Sequence, residues 1–222
     1  MLSIAAFSDI HAMFNNIRAM RKQLADIDVV VLAGDMTNGR MKSLHRLLEY
    51  ITPYNENIVA VCGNHDTKEM EKFLSEKGMS LHARHKIIDD VAFIGCSGSL
   101  PFIGGNVFTE DEYKAILSKS ITGLSSDIPK ILVAHQPPHK TRLDRTFMGL
   151  HVGSKSIREF IEREQPLICF TGHIHEAFGL DSIGKTRIIN PGMIEGTNRY
   201  AYAEIENGIV TTLELRQANP QG

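Results

Sequence analysis

Short apolar runs recur through the first two-thirds of the chain, at Ile4–Phe7, Val29–Ala33, Ile58–Cys62, Val91–Gly95, Ile131–Ala134 and Leu167–Phe170. They are rich in Val and Ile and bounded by turn residues, which predicts buried strands. Between them, apolar residues fall three and four apart, the spacing of one helix face. Ile17, Met20, Leu24 and Ile27 form one such set; Leu44, Leu47, Leu48 and Ile51 form a second; Ile157, Phe160 and Ile161 form a third. At the last helix Ser156 and Glu159 have capping-box spacing, and Ser154 is an equally good first residue.

Strand–helix alternation of this kind implies βαβ units and a largely parallel sheet covered on both faces. After residue 175 the texture changes. Short strands at Ile183–Ile189, Tyr200–Ile205 and Ile209–Leu215 are punctuated by Ile183-Gly184-Lys185, Asn190-Pro191-Gly192 and Asn207-Gly208, which predicts an antiparallel meander. The expected architecture is one α/β domain over 1–222, with a mixed sheet or two packed sheets. Residues 217–222 are expected to form a loose tail.

Composition narrows the class. Of 222 residues, 42% are apolar and 23% charged, which excludes disordered, collagen-like and coiled-coil chains. A net charge of −2 supplies no basic field, so stable nucleic-acid binding is not expected. Three cysteines, all in apolar runs and without a C-x-x-C, argue against a disulfide framework or a thiolate zinc site. No leader pattern and no apolar run of ~18 residues is present, so the expected setting is the cytoplasm, with no membrane partner.

The strand ends carry the chemistry. The first run leads into Asp9-Ile10-His11, the second into Gly34-Asp35, and the third into Gly63-Asn64-His65-Asp66. Later runs lead into His135 and into Gly172-His173-Ile174-His175. In open α/β sheets, ligands bind beyond the carboxyl ends of the strands. Taken singly, each of these residues is explained as well by a turn or a cap. Jointly, Asp9, His11, Asp35, Asn64, His135, His173 and His175 make seven oxygen and nitrogen donors. That set suits two divalent cations sharing Asp35. Imidazole donors favour Mn, Fe, Zn, Ni or Co over Mg or Ca, with Mn preferred. His45, His82, His85, His139 and His151 lie away from these positions and are expected to be solvated or packed.

These five motifs, in this order, resemble the calcineurin-like metallophosphoesterases over about residues 3–215. The resemblance implies a four-layer αββα sandwich of two packed mixed sheets flanked by helices. It also implies Asp9, His11, Asp35 and His175 on one metal, and Asp35, Asn64, His135 and His173 on the other. In the family's reaction a hydroxide bridging the metals attacks phosphorus, and the resemblance puts His65 beside the leaving group. Asp66 is expected to orient His65, to cap a helix over Lys68–Leu74, or both. The run Met36-Thr37-Asn38-Gly39-Arg40 departs from the family's protein phosphatases, which carry Asp-Arg-Gly there. The stretches from His135 to Pro138 and from Gly172 to Glu176 look like the small phosphodiesterases. A phosphodiesterase acting on a small phosphoester, nucleotides included, is therefore expected first. A phosphomonoesterase, or a scaffold with a vestigial site, is the alternative. Loops 96–109 and 136–153 are candidates for shaping the pocket. Within the first, Phe102 and Phe108 are expected to pack beneath the loop ahead of stacking a base.

Overall fold

The computed structural model of the protein describes residues 1–101, 104–195 and 197–218. One sheet has the order β11-β10-β1-β2-β3, built from Ile209–Gln217, Arg199–Glu206, Leu2–Phe7, Val29–Ala33 and Ile58–Val61. The other runs β4-β5-β6-β7-β9-β8, from His85–Ile88, Val91–Cys96, Lys130–Ala134, Ile168–Phe170, Thr186–Asn190 and Gly179–Ile183. Both are mixed. β1, β2 and β3 are parallel, as are β5, β6, β7 and β9, while the outer strands are antiparallel.

Alternation along the strands creates three cores. Ile4, Val31 and Val61 meet Phe93, Val133 and Phe170 between the sheets. The opposite face of the first sheet, with Ala5, Val30 and Leu32, packs on helices α1 (Asn15–Met20), α2 (Met41–Ile51) and α3 (Lys68–Glu76). The opposite face of the second, with Ile94 and Leu132, packs on α4 (Glu110–Ser120) and α5 (Lys155–Glu164). Helices, sheet, sheet, helices is the four-layer sandwich expected from the resemblance. Cys62, Cys96 and Cys169 are buried free thiols in these cores.

The helix sets on α2 and α5 fall on buried faces as the spacing predicts. At α5 the first residue is Ser154, whose hydroxyl accepts from the Ile157 N–H. The set from Ile17 to Ile27 does not form one helix. α1 ends at Met20, a 3-10 turn spans Gln23–Asp26, and Ile27 is extended. Three elements lack an apolar signature strong enough to predict, one of them β8, in which only Ile183 is buried. β4 is a half-exposed edge strand, and α4 buries only Tyr113, Leu117 and Ser120. α4 did carry a legible mark, the capping box of Thr109 and Glu112.

The C-terminal part is not one meander. β8 and β9 form a hairpin in the six-stranded sheet, while β10 and β11 form a hairpin in the five-stranded one. Asn190-Pro191-Gly192 is the crossing between sheets. The Asn190 amide donates to the carbonyls of Ile174 and Ala177 and accepts from the Gly192 N–H. The side chain thus ties the crossing to the His173–His175 loop instead of closing a hairpin. The first two residues of the expected tail are held in place: Gln217 pairs with Arg199, and Ala218 is buried with its N–H on the Asn198 carbonyl. Residues 219–222 lie outside the described residues.

Candidate metal centre

Parallel strands β1, β2 and β3 in one sheet and β6 and β7 in the other end at a common edge. Within each sheet, hydrogen bonds tie the loops beyond neighbouring strands together. Asp9 N–H donates to the Gly34 carbonyl, His11 N–H to the Asp35 carbonyl, and Gly172 N–H to the His135 carbonyl. Asp9, His11, Asp35 and His173 all have positive φ, between 46° and 69°. Non-glycine residues rarely adopt this left-handed region, and its use here turns each side chain out of strand register toward one point.

All seven predicted donors come together. His135 is fully buried and donates its Nδ1–H to the Ala33 carbonyl at 2.9 Å, which directs Nε2 into the site. There Nε2 lies 3.1 Å from Asn64 Oδ1 and 3.3 Å from Asp35 Oδ2. His11 Nδ1 lies 2.9 Å from Asn38 Oδ1, which turns its Nε2 inward to 3.3 Å from His175 Nε2 and 3.8 Å from Asp35 Oδ2. His175 Nε2 is 3.1 Å from Asp9 Oδ1. The His173 N–H donates to Asp9, and its ring centroid is 5.2 Å from that of His135. Asp9, His11 and His175 hold their donor atoms within 4.8 Å of one another, and so do Asp9, Asp35 and His135.

The charges in this cluster fit a cation. Burial pushes the Asp35 carboxyl up, yet His135 and the His65 N–H hold it well below the usual range. Asp9 is likewise lowered against its burial, chiefly by its hydrogen bond with His175. Burial alone would depress His135, but Asp35 and Asp9 raise it to about 9. Two buried carboxylates thus recruit positive charge at the spot where His135 Nε2 points. His175 is raised by its bond to Asp9. His173 is pushed down to about 4 by burial and by His135. Buried carboxylates and inward-facing imidazole nitrogens are a donor set for divalent transition metals.

Close approach explains the glycines in the motifs. A Cβ on Gly63 would sit 2.6 Å from Asp35 Cγ, and one on Gly172 would sit 2.6 Å from Asp9 Oδ2 while also striking Ser8 Oγ. The flanking loops brace the same residues. Gly105 N–H donates to the Asn64 carbonyl and the Asn106 amide to the Gly63 carbonyl. Gln136 links loop 96–109 to loop 136–153, accepting from Leu100 N–H and donating to the Val152 carbonyl.

One expectation needs correction. Asp66 neither orients His65 nor caps the helix. Its Oδ1 accepts the N–H and hydroxyl of Thr37, both at 3.0 Å, and its Oδ2 accepts Met36 N–H at 3.1 Å and Gly63 N–H at 3.0 Å. Those four bonds use the acceptor sites of the carboxylate. Burial, followed by the Asp35 charge, raises the Asp66 carboxyl above its usual range. The N-cap of α3 is Thr67, whose side chain accepts from Met70 N–H. Phe108 packs between His82 and Tyr113, the role expected of it ahead of base stacking. Phe102 lies outside the described residues. His65 itself is exposed at the rim, its ring 5.3 Å from that of His11, and its N–H donates to Asp35 Oδ1 at 2.8 Å. Sequence reasoning missed Asn38 and Asn190, which steer His11 and the His173–His175 loop. Both sit at turns, where Asn has an ordinary explanation.

Two packed sheets with Asp, Asn and His converging at their strand ends define a metallophosphoesterase. The chain belongs to the calcineurin-like phosphoesterase family, whose pattern matches residues 2–177. It is 34% identical over 197 residues to an uncharacterised protein of Methanocaldococcus jannaschii, covering 86% of this chain and 88% of that one. Among solved structures, it resembles TT1561 of Thermus thermophilus with a TM-score of 0.74 at 15% identity, over 98% of this chain and 99% of that one. A dimetal phosphatase from Danio rerio matches with a TM-score of 0.60 at 13% identity, over 93% of each chain. A novel archaeal phosphodiesterase matches with 0.54 at 15% identity, over 97% of this chain and 100% of that one. At these identities the structures speak for the fold.

Proposed function

We propose that the protein is a dinuclear metal-dependent phosphodiesterase. The observation that carries this reading is the placement of Asp35. One of its oxygens is held by the His65 N–H, and the other faces both His11 Nε2 and His135 Nε2. That is the position of a bridging carboxylate. Asp9, His11, Asp35 and His175 would hold one cation, and Asp35, Asn64, His135 and His173 the other. Mn²⁺ is favoured by the mixed carboxylate and imidazole donors. Two such ions supply a water of lowered pKa and a clamp on the phosphoryl oxygens.

The chain's own groups do the rest. Asp9 and His135 are fully buried, so they hold their positions without competing solvent. His65 stands at the exposed rim, where its ring can give a proton to the departing oxygen. Asp66 braces the loops that carry Met36, Thr37 and Gly63. A net charge of −2 supplies no basic field for a nucleic acid, which supports a small phosphoester as the substrate. Among the described residues, no helix is long and apolar enough to cross a membrane. The cytoplasm is the proposed setting.

The test is a paired assay on protein stripped and reloaded with Mn²⁺. Bis-p-nitrophenyl phosphate is expected to turn over faster than p-nitrophenyl phosphate, with two metals bound per chain. The reverse order assigns a phosphomonoesterase. Two bound metals and no turnover of either ester would sink the enzymatic reading in favour of a vestigial site.

A further inference from the structure

Beside the metal centre, and sharing His175 with it, lies a cleft of about 350 Å³. Phe147, Glu176, Met193, Glu195 and Arg199 line it. Phe147 stands at the tip of a small hairpin, closed by the Arg145–His151 bridge and by Thr146 N–H on the Leu150 carbonyl. The hairpin is pinned to the site, because Phe147 N–H donates to Glu176 Oε1 at 3.1 Å, one residue beyond His175. Yet the Phe147 ring is 90% exposed. A backbone held in place while its ring stands in solvent is the arrangement of a contact surface.

Arg199, which also lines the cleft, is as unusual. The Arg199 guanidinium lies flat on Phe178, 3.4 Å from the ring centroid. Its Nε is buried and finds no hydrogen-bond partner among the described residues. A partly desolvated guanidinium stacked on one face still offers its other face and its N–H edge. The pair therefore presents π surface and donors together. Glu176 and Glu195 outnumber the one arginine, so a second phosphate would be repelled here. A neutral planar group with acceptor atoms meets every feature of the cleft. Pockets of this volume are within the usual range for small ligands.

We propose that this cleft seats the nucleobase of a nucleoside phosphoester whose phosphorus lies at the metal centre, between Phe147 and the Arg199–Phe178 pair. The inference rests on the phosphoesterase reading above and names the substrate class for it. Phe108 packs beneath its own loop, and the stacking face falls to Phe147. Loop 136–153 then acts through its hairpin tip, and Arg199 reads acceptor atoms on the base edge.

The experiment compares two esters with the same leaving group on Mn²⁺-loaded protein, the p-nitrophenyl ester of thymidine 5′-monophosphate and methyl p-nitrophenyl phosphate. Base–aromatic stacking is worth about 1–3 kcal/mol, or roughly 5- to 150-fold. Phe147→Ala should lower the kcat/KM preference for the nucleoside ester about tenfold, mainly through KM, and Phe147→Trp should restore it. Arg199→Lys keeps the charge but loses the plane, and it should lower the same preference. Metal content is measured in each variant to confirm an intact site. In parallel, calorimetry measures adenosine 5′-monophosphate against inorganic phosphate on wild type and Phe147→Ala. Tighter binding of the nucleotide that Phe147→Ala removes supports the cleft even where turnover is absent. Equal binding of nucleotide and phosphate, or a preference unchanged in both variants, overturns it. If neither ester is hydrolysed while nucleotide binding still depends on Phe147, the base pocket stands and the hydrolase reading falls.

Discussion

Asp35 is the residue on which the site turns, and its backbone is part of the reason. With φ at 47°, it occupies a region that costs a non-glycine residue about 1–2 kcal/mol. Asp9, His11 and His173 share that cost. Strain concentrated on four of seven donors marks positions held for chemistry, since a glycine would fit each backbone without it. The donors divide into those that hold charge and one at the rim. On the proposed reading Asp35 is shared by both metal positions, so Asp35→Asn should lose metal and turnover together, as elemental analysis and the diester assay would record. His65→Asn leaves the donor set intact. It should keep both metals and lower kcat by ~10²–10⁴, the range for a lost proton donor. An empty His65→Asn protein would reassign His65 to the ligand set. Donor identity was legible at this scale, because Asp, His and Asn follow apolar runs at each strand end. Asp66 was not, because its four hydrogen-bond donors come from Met36, Thr37 and Gly63, on two separate loops.

Strand ends are the elements that matter, and glycine sets how closely they approach. β7 delivers Gly172 against the loop after β1, where Asp9 Oδ2 would lie 2.6 Å from an added Cβ. Gly172→Ala should therefore push the His173–His175 loop off the β1 end. The expected result is a marked fall in bound metal, with the circular dichroism of a folded protein retained. Undiminished metal stoichiometry in that variant would show that the loop tolerates the shift. The strands themselves were readable to within a residue or so, because central parallel strands are buried on both faces and contain little but Val, Ile, Leu and Ala. Edge strand β4 and helix α4 were not, since each buries only one weak face. The turns at Ile183-Gly184-Lys185 and Asn207-Gly208 close hairpins as read, but strand β8 and the change of sheet after Asn190 were not readable. Turn residues say where a chain bends, not which sheet it joins, and Asn190 spends its amide on the Ile174 and Ala177 carbonyls.

The whole molecule is two sheets whose shared core leaves one end to carry buried charge. Two carboxylates, Asp9 and Asp35, are buried there among histidines, an arrangement that divalent cations would relieve. Metal should therefore be a folding ligand. A site loaded at a hundred times its Kd gains about 2.7 kcal/mol, and in a chain of this size that is roughly 5–10 °C in Tm. Mn²⁺ titrated into stripped protein should raise Tm in this range, and Asp35→Asn should abolish most of the rise, as differential scanning calorimetry would measure. A Tm indifferent to Mn²⁺ would mean the cluster does not bind it. The order of apolar runs and polar strand ends was enough to determine the layer pattern and the donor types, because both depend on local periodicity and on chemistry borne by single residues. Tertiary structure alone decided that Asp35 turns one oxygen to both histidine groups, that Asp66 is a brace, and that Phe147 and Arg199 line one cleft. Those facts depend on distances between residues far apart in the chain, and nothing in the spacing of a sequence encodes which loops will meet.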